Sequence, residues 1–252
     1  MTPARRLPRL VAGVAVPALL LAGCADVLPL APPTRTTPAG HTVAAVPSVP
    51  EVKAGSAGTV TLKGFSAYER AALRIRNITC QGVQVGSGFA VAPRVIVTNR
   101  HVVDGAAVLQ IETFDGSDRQ VATAGVATFA DLSVVRLAED LPATLPLAAQ
   151  NPKPGDRITV VGYPGGGELT TSQGRVLRYG ADLVGESDEP MIVDDAPIEH
   201  GSSGSPLVDA AGQVVGVAYA GKPDGPYWAV PVELLRRLID TPAELGPVTP
   251  CD

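Results

Sequence analysis

Three stretches of this 252-residue chain carry side chains whose types and order could do chemistry together. In VTNRHVVDG the apolar run VIV leads through Thr98, Asn99 and Arg100 into His101, and ATFADLSVVRL sets Asp131 just before an alternating strand pattern. HGSSGSPL packs Ser202, Ser203 and Ser205 around Gly201 and Gly204, behind His200. A serine hydroxyl is a weak nucleophile until a histidine takes its proton and a carboxylate orients that histidine. A serine between glycines at a tight bend can expose its hydroxyl, and the N–H groups freed by the bend then converge as an oxyanion hole requires. The chain supplies histidine, aspartate and serine in that order, each at a strand boundary, without saying which serine reacts. Asp104 is a rival acid by proximity to His101, although HVVDG reads as a helical turn ending at Gly105.

Such groups need a rigid frame, and the composition favours strands. Apolar residues make up 45% and aromatics only 4%, with Val, Ala, Gly and Pro abundant, which suits many short strands and turns. From Thr79 onward, runs such as GVQVGSGFAVA, RVIVTN, LSVVRL, RITVVGYP, MIVDDAPI and PYWAVPV alternate with turn residues, the texture of an all-β sandwich or barrel. The Pro-rich joint LPATLPLAAQNPKPGD divides these strands into two sets. SAYERAALRIRNI reads as a helix, with Ser66 and Glu69 forming a capping box, and residues 231–240, PVELLRRLID, as another. Gly165 to Gly167 in VGYPGGGEL read as a turn; no GK[ST] follows, and the next residues favour a strand over a phosphate-facing helix.

Outside this frame, residues 1–23 combine Arg5, Arg6 and Arg9 with a short apolar run and have the layout of a signal peptide. They lead into LAGC, which resembles a bacterial lipobox and makes Cys24 the expected lipidation site. Residues 24–58 are Pro-, Ala- and Thr-rich and read as an extended tether that includes His41; the folded domain is expected over 59–252. With Cys24 lipidated, Cys80 and Cys251 remain as an even pair in an oxidising compartment, available for a disulfide that ties the domain's ends, or left as free thiols. The three histidines are far apart and no CxxC occurs, so no metal site is expected. A net charge of −5 without a basic run past the N-terminus gives no support to a nucleic-acid partner.

Taken together, GSGFAVAPRVIVTNRHVV, DLSVV and GSSGSPLVDAAGQVVGV resemble the chymotrypsin-fold, trypsin-like serine proteases, within them the bacterial branch of HtrA-type and actinobacterial membrane-anchored enzymes. The likeness runs from about Gly82 to Leu238. It implies two packed six-stranded antiparallel β-barrels, about 78–145 and 146–232, with a short helix before them and the 231–240 helix after. The family pattern Gly-x-Ser-Gly-[Gly/Ser]-Pro aligns on Gly201 to Pro206. That alignment implies Ser203 as nucleophile, the N–H groups of Gly201 and Ser203 as oxyanion hole, and Ser205 as structural. His101 would be the general base and Asp131 its orienting acid. Ser202 stands where animal relatives carry an aspartate that pairs with a freshly cut N-terminus, so that route of activation is not expected. Six residues before Ser203, where enzymes cutting after Lys or Arg place an acid, stands Pro197; Asp194 and Asp195 lie farther back. Pocket walls are expected from Tyr219, Ala220, Gly221 and Trp228, with His200 at the rim, which implies an apolar or small residue before the cut. The implied protein is a cofactor-free, monomeric, lipid-anchored serine endopeptidase outside the cytoplasm, acting on protein or peptide substrates. The alternative is a binding module that keeps the fold without catalysis; decayed members usually lose the serine or the histidine, and both are present.

Overall fold

Alternation carries the chain into its first sheet earlier than the helical spacing suggests. The computed structural model describes residues 64–222 and 224–251; the signal-like segment 1–23, Cys24 and the tether 24–58 lie outside the described residues. Helix α1 (Ala67–Ala71) starts at Ser66, whose capping box with Glu69 is formed as expected, but it lasts five residues. Leu73, Ile75 and Asn77 are buried while Arg74 and Arg76 point outward, so LRIRNI is strand β1 (Ala72–Ile78) and not a continuation of the helix.

Strands β2 (Val83–Ala92), β3 (Val95–Thr98), β4 (Val108–Thr113), β5 (Asp118–Arg119), β6 (Val121–Ala127) and β7 (Ser133–Leu137) complete the first half, with the single-turn helix α2 (Arg100–Val103) after β3. The second half holds β8 (Arg157–Gly162), β9 (Thr170–Gly180), β10 (Met191–Asp194), β11 (Pro206–Val208), β12 (Val214–Gly221) and β13 (Tyr227–Pro231), then helix α3 (Val232–Asp240) and β14 (Leu245–Pro247). Strands β10-β13-β12-β11-β8-β9 form a closed six-stranded antiparallel barrel. Ile158, Val160, Val176, Ile192 and Leu207 fill its interior.

The first half differs from the closed six-stranded barrel expected. Its strands run β14-β6-β7-β3-β2-β1-β4-β5 as one open sheet that curls into a half-barrel. β5 closes one end on β4, and Gln120 joins it to β6, which lies inside the other end between β7 and β14, leaving a seam between the two ends. Chain connectivity, not a ladder of hydrogen bonds, therefore bridges that seam. One continuous apolar core then joins the halves, with Phe89, Ile96 and Val135 from the first packed in the same cluster as Val161, Val217 and Leu235 from the second.

The C-terminal segment crosses back onto the first half. Helix α3 buries Val232, Leu234, Leu235 and Leu238, and its Arg237 guanidinium lies 4.0 Å from the centroid of the Phe129 ring. Strand β14 then adds to the free edge of β6, Leu245 opposite Ala127. The N–H of Gly105 donates to the Thr249 carbonyl at 3.0 Å, and Cys251 is disulfide-bonded to Cys80, 171 residues away. Closing so long a loop reduces the entropy of the unfolded chain by an amount worth about 5 kcal/mol in the chain-entropy treatment.

Candidate active site

His101 sits on the single turn α2 at the mouth between the halves, where β3 ends. Asp131, 4% exposed, lies on the turn between β6 and β7 and is held in place by that same α2 segment. Its Oδ1 accepts the His101 backbone N–H at 3.0 Å, its Oδ2 lies 2.6 Å from His101 Nδ1, and its carbonyl accepts from Asn99 Nδ2 at 2.8 Å. A carboxylate facing Nδ1 fixes the proton there in the neutral ring and leaves Nε2 as the basic nitrogen. Burial pulls the imidazole pKa down, but the hydrogen bond and charge of Asp131, with Glu186 and Asp104 farther off, outweigh it, and the net shift is upward from the ordinary 6.5. Asp104 does not compete for the ring: it lies 3.9 Å from Arg100 Nε, and its own N–H caps the helical turn on the Arg100 carbonyl.

The three serines are separated by burial. Ser205 is wholly buried, its hydroxyl without a partner among the described residues, beside Gly162, where any Cβ would collide with it. Ser202 is 6% exposed and accepts the Glu199 N–H at 3.3 Å, closing the turn. Ser203 is the one open to the cleft, its Oγ 3.4 Å from the Tyr219 carbonyl oxygen.

Around Ser203 the backbone is oriented by its carbonyls. The His200 carbonyl accepts the Gly165 N–H at 2.6 Å, and the Ser202 carbonyl accepts the Ser205 N–H at 3.0 Å. In a planar trans peptide the N–H points opposite its C=O, so these two bonds turn the N–H groups of Gly201 and Ser203 the other way. Among the described residues neither N–H has an acceptor. Gly201 adopts φ +92°, which only glycine does readily, and a Cβ there would lie 2.7 Å from Gly165 N. Unspent backbone donors of this kind are what an oxyanion hole requires.

The first half braces this loop through Ser87 of β2. Its N–H donates to the Ser203 carbonyl at 2.7 Å, its Oγ donates to the Gly201 carbonyl at 2.8 Å and accepts the Tyr163 N–H at 2.9 Å, and its carbonyl accepts from Thr98 Oγ1 at 2.6 Å. GSGFAVA read from the sequence as strand texture and as part of a resemblance, and this role was missed; a polar residue between two glycines in an apolar strand was the available signal. It also missed the 181–187 segment. Asp182 Oδ1 accepts the Tyr219 hydroxyl at 2.6 Å, its Oδ2 accepts the N–H groups of Glu186 and Ser187, and Glu186 reaches across the cleft to Arg100, 2.6 Å away and next to His101. Nothing in the local sequence signals that partnership, because it is a tertiary contact between distant loops.

A cavity of about 490 Å³ opens beside Ser203. Ile198, Tyr219, Ala220 and Gly221 line it, with Glu199, His200 and Lys222. Two residues expected in it lie elsewhere. Trp228 is turned away, its Nε1 donating to the Ala181 carbonyl at 3.2 Å under the Lys222 ammonium, and Pro197 lines neighbouring clefts on the other side of the loop. Both residues lie in the irregular segment after β10 ends at Asp194, and there Ile198, not Pro197, takes the place in the cavity wall. Asp194 is 2% exposed and accepts the Ala196 N–H at 2.9 Å, its pKa pushed up to about 7 by burial.

The chain is similar to known proteins. The Serine protease Rv3671c of Mycobacterium tuberculosis is 32% identical over 164 residues, 61% of this chain and 41% of that protein. A Probable periplasmic serine endoprotease DegP-like of Marinomonas sp. is 30% identical over 167 residues, 64% of this chain and 36% of its own length. The chain thus spans about two fifths of the length of these curated relatives. The crystal structure of the Rv3671c protease in its active form superposes with a TM-score of 0.62 at 26% identity, covering 83% of this chain and 96% of that one. Its inactive form superposes with a TM-score of 0.59 at 27% identity over 69% and 90% of the two chains. The model of the trypsin-like peptidase domain matches residues 86–217, from the glycine before the Ser87 brace to the β12 strand past Ser203, and His101, Asp131 and the oxyanion loop all fall inside that span. The chain belongs to the trypsin-like peptidase family.

Proposed function

We propose that this protein is a serine endopeptidase, anchored outside the cytoplasm through a lipid on Cys24, which cleaves protein or peptide substrates through an acyl-enzyme. The observation that carries the reading is the half-buried Ser203 hydroxyl, the least buried of the three serines, beside two N–H groups that have no acceptor among the described residues, with an imidazole engaged by a buried carboxylate.

In this reading, rotation about χ1 moves the Ser203 Oγ from the Tyr219 carbonyl toward His101 Nε2, which takes its proton as the oxygen attacks the scissile carbonyl. The negative charge that develops on the carbonyl oxygen meets the N–H groups of Gly201 and Ser203, already oriented, so no reorganisation is needed at that moment. His101, now a cation beside Asp131, protonates the leaving amine, and water hydrolyses the ester by the same path in reverse. The Tyr219 carbonyl, released by the hydroxyl, is free to accept from substrate backbone. The walls of Ile198, Ala220 and Gly221 favour an apolar side chain before the cut, while Glu199 and Lys222 at the mouth leave no uncompensated carboxylate for a Lys or Arg.

The test is labelling of the purified oxidised protein with a fluorophosphonate, beside Ser203→Ala and Ser205→Ala. Labelling that disappears only in Ser203→Ala is expected; a wild-type protein that is folded and never labels would sink the catalytic reading in favour of a binding module. Mass spectrometry of the membrane-extracted chain, compared with Cys24→Ala, checks the anchor.

A further inference from the structure

We infer that Arg74, on β1 of the first half and cross-strand from Ser87, is a positioning residue for the oxyanion hole, acting through the Pro164–Gly167 turn. The inference rests on the reading of Gly201 and Ser203 as that hole.

The Gly201 N–H is aimed by one bond, the Gly165 N–H to the His200 carbonyl. Gly165 belongs to a short 3-10 turn with φ +62°, followed by Gly166 at +68°. Its internal bonds are two, Gly166 N–H to the Tyr163 carbonyl and Gly167 N–H to the Pro164 carbonyl, both at 2.9 Å. A glycine-rich turn with so little of its own to hold it loses much conformational freedom when fixed. Something outside it must hold its position.

Arg74 does so. Its Nη2 donates to the Gly167 carbonyl at 2.6 Å, closing the C-terminal end of the turn. Its guanidinium carbon lies 4.9 Å from the centroid of the Tyr163 ring, covering the N-terminal end. Its Nη1 is paired with Glu112 at 2.7 Å, its direct cross-strand neighbour on β4, so the charge is held on the sheet and not on the turn. Its Nε has no acceptor among the described residues, which leaves these three contacts as what fixes the group. A charged, bidentate side chain on a rigid strand thus grips both ends of the turn whose middle N–H aims the catalytic peptide. Val85 of β2 supports the same turn from below: a Cβ on Gly166 would lie 2.8 Å from its Cγ1. Without Arg74 the turn can lift from Val85, the His200 carbonyl loses its donor, and the Gly201 N–H is no longer directed.

The experiment reads that bond directly. Amide hydrogen exchange of Gly165, resolved by NMR, is measured in the full chain carrying Ser203→Ala, alone and with Arg74→Met or Arg74→Lys added. The amides of Ile96 and Val135 in the core report global folding. Arg74→Met is expected to speed Gly165 exchange at least tenfold with the core amides unchanged, and Arg74→Lys to recover part of the protection. In the chain with Ser203 intact, Arg74→Met should lower kcat about tenfold with KM little changed, below the 10²–10³ loss typical of removing a hole donor outright. Gly165 exchange that stays slow in Arg74→Met, or that speeds only together with the core amides, overturns the inference. A wild-type chain that fails to react with fluorophosphonate refutes the proposed function instead, and leaves the exchange result standing as a statement about the turn.

Discussion

Asp194 offers a stability prediction whose size follows from its surroundings. The carboxyl is 2% exposed, its neighbours Ile192 and Ala196 belong to the interior of the closed barrel, and its one protein hydrogen bond comes from the Ala196 N–H. Burial, opposed in part by that bond and reinforced by Asp195, lifts its pKa from 3.8 to about 7. A carboxyl whose folded pKa is raised binds its proton more tightly in the native state than in the unfolded chain, so stability falls as pH rises from about 4 to 7 and then levels off. Three pH units at about 1.36 kcal/mol each give a penalty of about 4 kcal/mol at pH 8. Asp194→Asn keeps the acceptor for Ala196 and removes the titration. Urea unfolding of the two proteins, both carrying Ser203→Ala to prevent self-digestion, should show near-equal stability at pH 4. The gap in favour of asparagine should widen through pH 7 to several kcal/mol. A gap independent of pH, or an asparagine variant less stable at pH 8, would refute the reasoning.

Three other outcomes follow from contacts already described. Glu186→Gln removes one of the charges that raise the His101 pKa and unpairs Arg100 beside it, so the acid limb of the kcat/KM profile should move to lower pH; a limb that stays in place would show that the Glu186 charge is not felt at the ring. Ser205→Ala deletes a buried hydroxyl without a partner and should raise stability by about 1 kcal/mol while leaving fluorophosphonate labelling intact, as thermal unfolding and gel fluorescence will tell. Reduction of Cys80–Cys251 should lower Tm by roughly 10 °C, as expected from about 5 kcal/mol over a domain of this size, and lower activity with it. Cys251→Ser should reproduce both effects and be indifferent to reductant, so a variant that still responds to reductant would count against the assignment.

The strand texture and the identity of the halves were readable because both depend on local signals: alternation, turn glycines and the Pro-rich joint. His101 and Asp131 could be proposed because each sits at a strand boundary with a recognisable neighbourhood, whereas Ser203 was singled out among three serines only by the resemblance of GSSGSP to the family pattern. What escaped the sequence were the contacts of Ser87, Gly165 and Glu186, whose partners lie far along the chain. LRIRNI carried helical spacing and strand alternation at once, and pairing with both β2 and β4 decided for the strand. GGG in YPGGG was readable as a turn, but its use of a backbone N–H to aim another peptide was not, since glycine has no side chain to announce it. Trp228 was misassigned for a similar reason: a β-bulge between Ala218 and Ala220 shifts the register with β13 and sends the indole away from the cavity.

The crossing of residues 241–251 onto the first half has a consequence for how the molecule is made. Strand β14 seals the edge of β6, the strand that runs into the Asp131 turn, and it is synthesised after both halves of the site. In the export that the proposed function requires, a chain still threading through a channel would have His101, Asp131 and Ser203 outside while the strap that seals the first half is still inside. The same order holds for oxidation, since Cys80 must wait for Cys251 to emerge. The two halves therefore come under full tertiary constraint only once the chain has emerged through Cys251. Under the proposed function, the order in which its own strands arrive would hold the peptidase back from the machinery that delivers it.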